Sequence, residues 1–260
     1  MSLIGLQSAI TTLIRLPREN RGDLEAQIKN FALNSVELEA VRVLAEDHEL
    51  NKYGNELAGQ RWDKIFGKII RLFTFVSREW VESIWFERFE PQATHIEGDI
   101  VGRDTFTLAF IDFLTSDPTT RQELSDQGLP YIFDLLAYLR AECYVRRYLD
   151  DLTPLPHGSL VQHRAFQVVH LTNDIPNLIE RALEEEDTGL SKLEPEQRTM
   201  TVLMLKDKEQ EFRMFEIEPA VAAFLEGEVN PSAVGTLTLS AEFLDHLADL
   251  GLCRPATAHH

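Results

Sequence analysis

In Thr199-Met200-Thr201-Val202-Leu203-Met204-Leu205 and Glu211-Phe212-Arg213-Met214-Phe215-Glu216-Ile217, two apolar runs flank the polar stretch Lys206-Asp207-Lys208-Glu209-Gln210. Runs of this length joined by a short polar loop read as a β-hairpin. The second run has large apolar groups on both faces, unlike a half-solvated strand, where clean alternation is expected. An outermost strand of that kind offers an open edge to an extended peptide, with Phe212, Arg213, Met214 and Phe215 as the contact residues. Phe224, Leu244 and Leu247 are expected to wall a groove beside it. The competing reading is plain hairpin packing on the final helix.

Working outward, Ala165 to Leu171 reads as a further strand. Asp174 to Glu186 reads as a helix, with Asn173 or Asp174 as cap and Pro176 in its first turn. Pro219 opens a short helix, Ala220 to Leu225, stopped by Gly227. Ser240 caps a last helix, Ala241 to Leu250, which Gly251 closes. A hairpin backed by helices is the ingredient list of a winged-helix-like domain, placed here at residues 160–256. Leu152-Thr153-Pro154-Leu155-Pro156-His157-Gly158-Ser159 lacks periodicity and reads as the linker before it, 152–159.

Residues 1–151 read as helical throughout. Leu3, Leu6, Ile10, Leu13 and Ile14 follow helical spacing up to Leu16-Pro17, and Gly22 to Leu33 forms a second segment. Ser35 is the expected cap of a helix with the stripe Val36, Leu38, Val41, Leu44. Tyr53-Gly54-Asn55 reads as a turn, followed by a long helix from Glu56 to Phe75. Ser77 caps a helix carrying Trp80, Ile84, Trp85 and Phe89 on one face. Asp104 to Leu114, Thr119 to Gln127 and about 130 to 150 complete the set. The expected fold is thus α+β and mostly α, an N-terminal helical bundle followed by the small winged-helix-like domain.

The chain of 260 residues carries 43 acidic against 25 basic side chains, a net charge of −18. Nucleic-acid affinity comes largely from Lys and Arg neutralising phosphates, so no nucleic-acid partner is expected. A winged-helix DNA-binding regulator is the rival reading, but its recognition helix would bring Glu242, Asp245 and Asp249 and no Lys or Arg to the phosphates. No apolar run approaches the roughly 18–20 residues of a membrane span. Met1-Ser2-Leu3-Ile4 has no signal-peptide pattern, and the expectation is a cytoplasmic protein without membrane partner.

Catalytic patterns are not found. The 8 histidines form no His-x-x-x-His or Glu-x-x-His pair, and Cys143 and Cys253 stand far apart, so no metal ligand is nominated. The 13 glycines form neither a dinucleotide fingerprint nor a phosphate loop. A stand-alone metalloenzyme with ligands from distant helices is the second rival reading, and it would need the Glu-x-x-His pairs that the chain lacks. The remaining candidate surface is Tyr53, Asn55, Arg61 and Trp62, since Arg and Trp are enriched among interface hot spots. Trp62 and Phe66, four apart, share a face, and a buried Trp is the competing reading.

Tyr53-Gly54-Asn55-Glu56-Leu57 with Gln60-Arg61-Trp62-Asp63-Lys64 resembles the helical partner proteins of multinuclear non-haem iron oxidative enzymes. Glu211 to Ile217, then Glu218 to Gly227, then Phe243 to Leu252, resembles the strand, helix and closing helix of the precursor-peptide recognition element of ribosomal-peptide biosynthesis. The resemblance implies a non-catalytic subunit, with no cofactor on this chain and iron in the partner enzyme. It further implies a heterodimer with that enzyme, to which the precursor peptide's cysteine-containing end is presented for oxidative remodelling, as in thiaglutamate-type or methanobactin-type pathways. The helix at Asp174 to Glu186 is an insertion relative to the minimal recognition element.

Overall fold

The computed structural model describes residues 3–15, 28, 31, 33–90, 93, 103–147, 152–154, 160–163, 166–184, 190–206, 211–226, 249 and 253–255. The chain divides into two compact units, 1–113 and 114–260. It is a mostly helical α+β protein, as expected, and among the described residues up to 147 there is no strand.

The first unit holds α1 (Leu3–Arg15), α2 (Ser35–Glu46), α3 (His48–Phe66), a 3-10 turn (Ile70–Thr74) and α4 (Arg78–Ile84), which runs into a π-helical turn (Trp85–Phe89); α5 (Arg103–Ser116) follows. Helix α2 is capped one residue earlier than expected. The Asn34 side chain accepts from the amides of Val36 and Glu37, at 3.0 and 2.9 Å, and the Glu37 carboxylate accepts from the Asn34 amide at 2.9 Å. This reciprocal box satisfies donors that a helix start otherwise leaves open. Leu13, Ala9, Ile28, Val41 and Ala45 form a core from the first helices, with Leu6, Leu38 and Leu50 packed around it.

Tyr53-Gly54-Asn55 is not a turn but the middle of α3. Asp47 starts that helix by accepting from the Leu50 amide at 2.9 Å. Gly54 is buried against α1, and a Cβ there would collide with the Ile14 carbonyl oxygen. The glycine therefore serves close helix packing, which a single sequence cannot distinguish from turn chemistry. The expected long helix to Phe75 likewise ends at Phe66. Of Gly22 to Leu33, only Ile28, Phe31 and Leu33 are described. Ser77 does cap α4, accepting from the Trp80 amide at 3.2 Å. The π turn lets Ile84, Trp85 and Phe89 all stay buried.

The second unit begins with the end of α5 and contains α6 (Pro118–Asp126), α7 (Ile132–Arg147), β1 (Leu152–Pro154), β2 (Leu160–His163), β3 (Phe166–Leu171), α8 (Ile175–Glu184), β4 (Met200–Lys206), β5 (Phe212–Glu216), α9 (Pro219–Leu225) and β6 (Cys253–Pro255). The expected linker 152–159 falls inside this unit, and its first three residues form β1. Strands β1, β2 and β6 make a small antiparallel sheet that the sequence reading lacked. The expected last helix, 241–250, lies outside the described residues except for the helical Asp249.

Strands β3, β4 and β5 form the main antiparallel sheet in that order. Helix α7 packs on β3 and β4, and α9 packs on β4. The central strand is consequently buried from Met200 to Leu205, which is why its sequence is apolar except at Thr201, whose hydroxyl meets the His170 ring at 3.2 Å. On one face Leu203 and Leu205 pack with Phe224 and Leu225. Val169, Leu171, Val202 and Met204, buried and out of step with them by one residue, belong to the other face.

The turn between β3 and α8 is tied to α7 through one oxygen. Asp134 Oδ2 accepts from the Thr172 amide and hydroxyl, both at 2.8 Å, and from the Asn173 amide and side chain, both at 2.9 Å. The segment after α8 is tied down as well: the Tyr131 hydroxyl donates to the Leu193 carbonyl at 3.2 Å, and the Asp174 amide to that of Glu196 at 2.9 Å. Burial, reinforced by the Glu194 carboxylate, pushes the Tyr131 hydroxyl above its ordinary pKa.

Candidate functional site

Strand β5 is an edge of its sheet: it pairs with β4 from Phe212↔Lys206 to Glu216↔Val202 and has no strand on its other side among the described residues. The Ile217 amide donates to the Thr201 carbonyl at 2.9 Å. Amides along a strand alternate direction, so those of Arg213 and Phe215 also turn toward β4. The amides of Phe212, Met214 and Glu216 then turn to the open edge.

The side chains divide across the two faces of the sheet. Phe212 is half-buried beneath the Arg146 guanidinium, 4.4 Å above the ring centroid. Arg146 is itself held by Glu142, at 3.0 and 2.8 Å, with the carboxylate 9% exposed. Next on that face, Met214 is 39% exposed and its sulfur accepts from the Tyr138 hydroxyl at 3.3 Å. On the other face Arg213 is exposed and paired with Glu211, while Phe215 packs on the Leu203 and Leu205 cluster. At the strand's end Arg198 joins Glu216, at 2.7 and 2.8 Å, to Asp174 at 3.4 Å. Glu216 first, then Asp174, raise the Arg198 pKa further above its already basic range.

Phe224, expected to wall a groove, is instead 9% exposed and plugs the core beneath α9. Strand packing takes it because it sits on the sheet's face rather than beside the edge. Leu244 and Leu247 lie outside the described residues. The other four residues of the expected set, Phe212, Arg213, Met214 and Phe215, lie together on the edge strand.

The second expected surface does not survive as drawn. Trp62 is 2% exposed, because the inward stripe of α3 is Gly54, Ala58, Trp62 and Ile65. Its ring meets those of Phe66, Phe73, Trp85, Phe86 and Phe110, with centroids 5.8 to 6.4 Å away. Arg61 is 19% exposed and ion-paired with Glu90, whose side chain is 3% exposed. That carboxylate lies directly after the π turn and draws the guanidinium inward; nothing in the spacing around Arg61 signals it. Tyr53, 51% exposed, and Asn55 do remain on the surface, two positions apart on the helix and so on different faces.

Among the described residues no group of three or more His, Cys, Asp and Glu is arranged to hold a metal ion, and no helix is long and apolar enough to cross a membrane. His170, between Thr201 at 3.2 Å and Glu226 at 3.2 and 3.3 Å, is the one described histidine on the main sheet. No protein-family model matches the chain, and no curated protein matches its sequence.

Proposed function

We propose that the protein is a non-catalytic partner subunit whose β5 edge binds an extended precursor peptide and presents its cysteine-containing end to a multinuclear non-haem iron enzyme. In this reading the C-terminal part is a winged-helix-like recognition element, and the iron belongs to the enzyme. The carrying observation is the edge itself: β5 has outward amides at Phe212, Met214 and Glu216, and a partly exposed Met214 at its centre. Strand addition draws affinity from such main-chain donors and specificity from alternate side chains. Arg146, clamped over Phe212, stiffens the start of the strand, and rigid edges lose less entropy on binding.

The test is co-expression with the neighbouring gene product and a candidate precursor peptide, followed by size-exclusion chromatography, iron analysis and peptide titration. Met214→Pro removes an outward donor while sparing the ladder to β4, and edge strands tolerate proline at such positions. The folded variant is expected to lose peptide affinity by about tenfold or more, which corresponds to roughly 1.4 kcal/mol. Met214→Ala, which keeps the donor, is expected to lose much less. Unchanged affinity in folded Met214→Pro would remove the edge from the binding site. Iron retained by this chain alone would overturn the subunit reading altogether.

A further inference from the structure

Strand β5 is one edge of the main sheet, and β3 is the other. The Ile217 amide donates to the Thr201 carbonyl, so the main-chain groups of Thr201 face β5. Alternation along β4 turns those of Met200, Val202 and Met204 toward β3, opposite Leu171, Val169 and Gln167. The N–H and C=O groups of Phe166, Val168 and His170 therefore point away from β4, to a side where no strand pairs with them among the described residues. The Gln167 side-chain amide donates to the Phe166 carbonyl at 3.0 Å, a local substitute for a ladder bond that leaves the oxygen a second lone pair. Open edges are ordinarily guarded by charges, proline or a bulge. Strand β5 carries Arg213 and Glu216, whereas Phe166 to Leu171 holds no Asp, Glu, Lys, Arg, Pro or Gly, and its register with β4 is unbroken. The carboxylates that reach the end of β3, Glu226 to His170 and Asp134 to Thr172 and Asn173, are already bonded within the chain.

We infer that the β3 edge pairs with the β3 edge of a second copy of this chain, antiparallel about a two-fold axis at Val168. In that register Phe166 stands opposite the second copy's His170 and Val168 opposite its own counterpart, so each outward amide meets an outward carbonyl. Such an interface is isologous, the arrangement that closes a dimer and leaves no further β3 edge open. Composition favours a copy over a foreign strand, since short uncharged segments rich in aromatic and β-branched residues pair readily with themselves. Charge favours it as well. Copies of net charge −18 repel one another, and a strand free of charged side chains is where two of them can approach. A foreign peptide would find little to read here, because Phe166 and Val168 are half-buried against the Leu203 and Leu205 cluster. The paired copies would share one continuous sheet with a β5 strand at each outer end, so the peptide edge stays free.

The experiment is sedimentation equilibrium of the full chain across a range of concentrations, comparing wild type with His170→Pro and His170→Ala. Both variants lose the imidazole contacts with Thr201 and Glu226, but only proline removes the outward amide, and an edge strand tolerates it there. Wild type is expected to show a monomer–dimer equilibrium that His170→Pro weakens at least about tenfold and His170→Ala less than about threefold. Met214→Pro, on the opposite edge, should leave the dimer intact. Hydrogen exchange in the wild-type chain keeps the test decisive where a variant misfolds: the amides of Phe166, Val168 and His170 should exchange more slowly at concentrations that favour the dimer. A chain monomeric at every concentration overturns the inference. So does a dimer indifferent to His170→Pro whose β3 amides exchange at unchanged rates, which places the interface elsewhere. A monomer that loses affinity for the candidate precursor peptide on His170→Pro would assign this edge to the peptide and overturn it as well.

Discussion

Replacing Trp62 by alanine separates a core residue from an interface residue in one measurement. The ring is 2% exposed and touches five other aromatic rings. Removing a buried Trp to alanine costs about 3–5 kcal/mol through lost transfer energy and the cavity left behind. The aromatic neighbours place this case in the middle to upper part of that range, about 4 kcal/mol. With a urea slope of about 1.5 kcal/mol/M, the midpoint should fall by about 2.5 M. Trp62→Phe supplies the control. The indole Nε1 has no hydrogen-bond partner, so phenylalanine loses ring volume but no bond, and the cost should be about 1–2 kcal/mol. The readout is favourable because all 3 tryptophans, at positions 62, 80 and 85, lie in the first unit, so their fluorescence reports that unit alone. A Trp62→Ala midpoint within about 0.5 M of wild type would refute the core assignment and return Trp62 to the surface.

Three further outcomes follow from the geometry. Asp134→Ala removes the acceptor of four hydrogen bonds at a partly exposed turn and should cost about 2 kcal/mol by far-ultraviolet circular dichroism in urea; Asp134→Asn, which keeps an oxygen, should cost less. Gly54→Ala should destabilise by about 1–3 kcal/mol because its Cβ meets the Ile14 carbonyl, whereas Gly59→Ala, with nothing within 4 Å, should stabilise by up to about 1 kcal/mol; thermal melts of both decide. Tyr131 has a folded-state pKa above its ordinary 10.0, so the stability it contributes is complete below pH 10.0 and is lost as pH rises through the folded value. Tyr131→Phe should flatten that alkaline decline in urea titrations, and an unchanged slope would refute the assignment.

The hairpin was legible because strand periodicity and a polar loop are local signals, and Ser77 as a cap because capping spans only a few residues. Arg61 was not legible, since its direction depends on Glu90, 29 positions later, and on the π turn that carries it. Gly54 misled for a related reason: turn glycines and packing glycines have the same sequence, and only α1 crossing overhead tells them apart. The sheet of β1, β2 and β6 escaped because Leu160 pairs with Pro255, across most of the second unit. At the candidate edge, the strand could be read from its apolar content. The capture of Phe224 by the core could not, because a helix's face is chosen by the sheet it lands on.

Burial of β4 on both faces carries a cost in information. A strand with one wet face announces its register, because a one-residue slip would put charges inside. Apart from Thr201, Met200 to Leu205 presents apolar side chains either way, so burial alone opposes such a slip only weakly. Alignment must then be enforced from the periphery, by Arg198 reaching Glu216 and Asp174 and by Ile217 closing on Thr201. The sheet's correctness is thus written in a few surface ions rather than in its interior, and a chain deprived of Arg198 has lost its ruler before it has lost much of its stability.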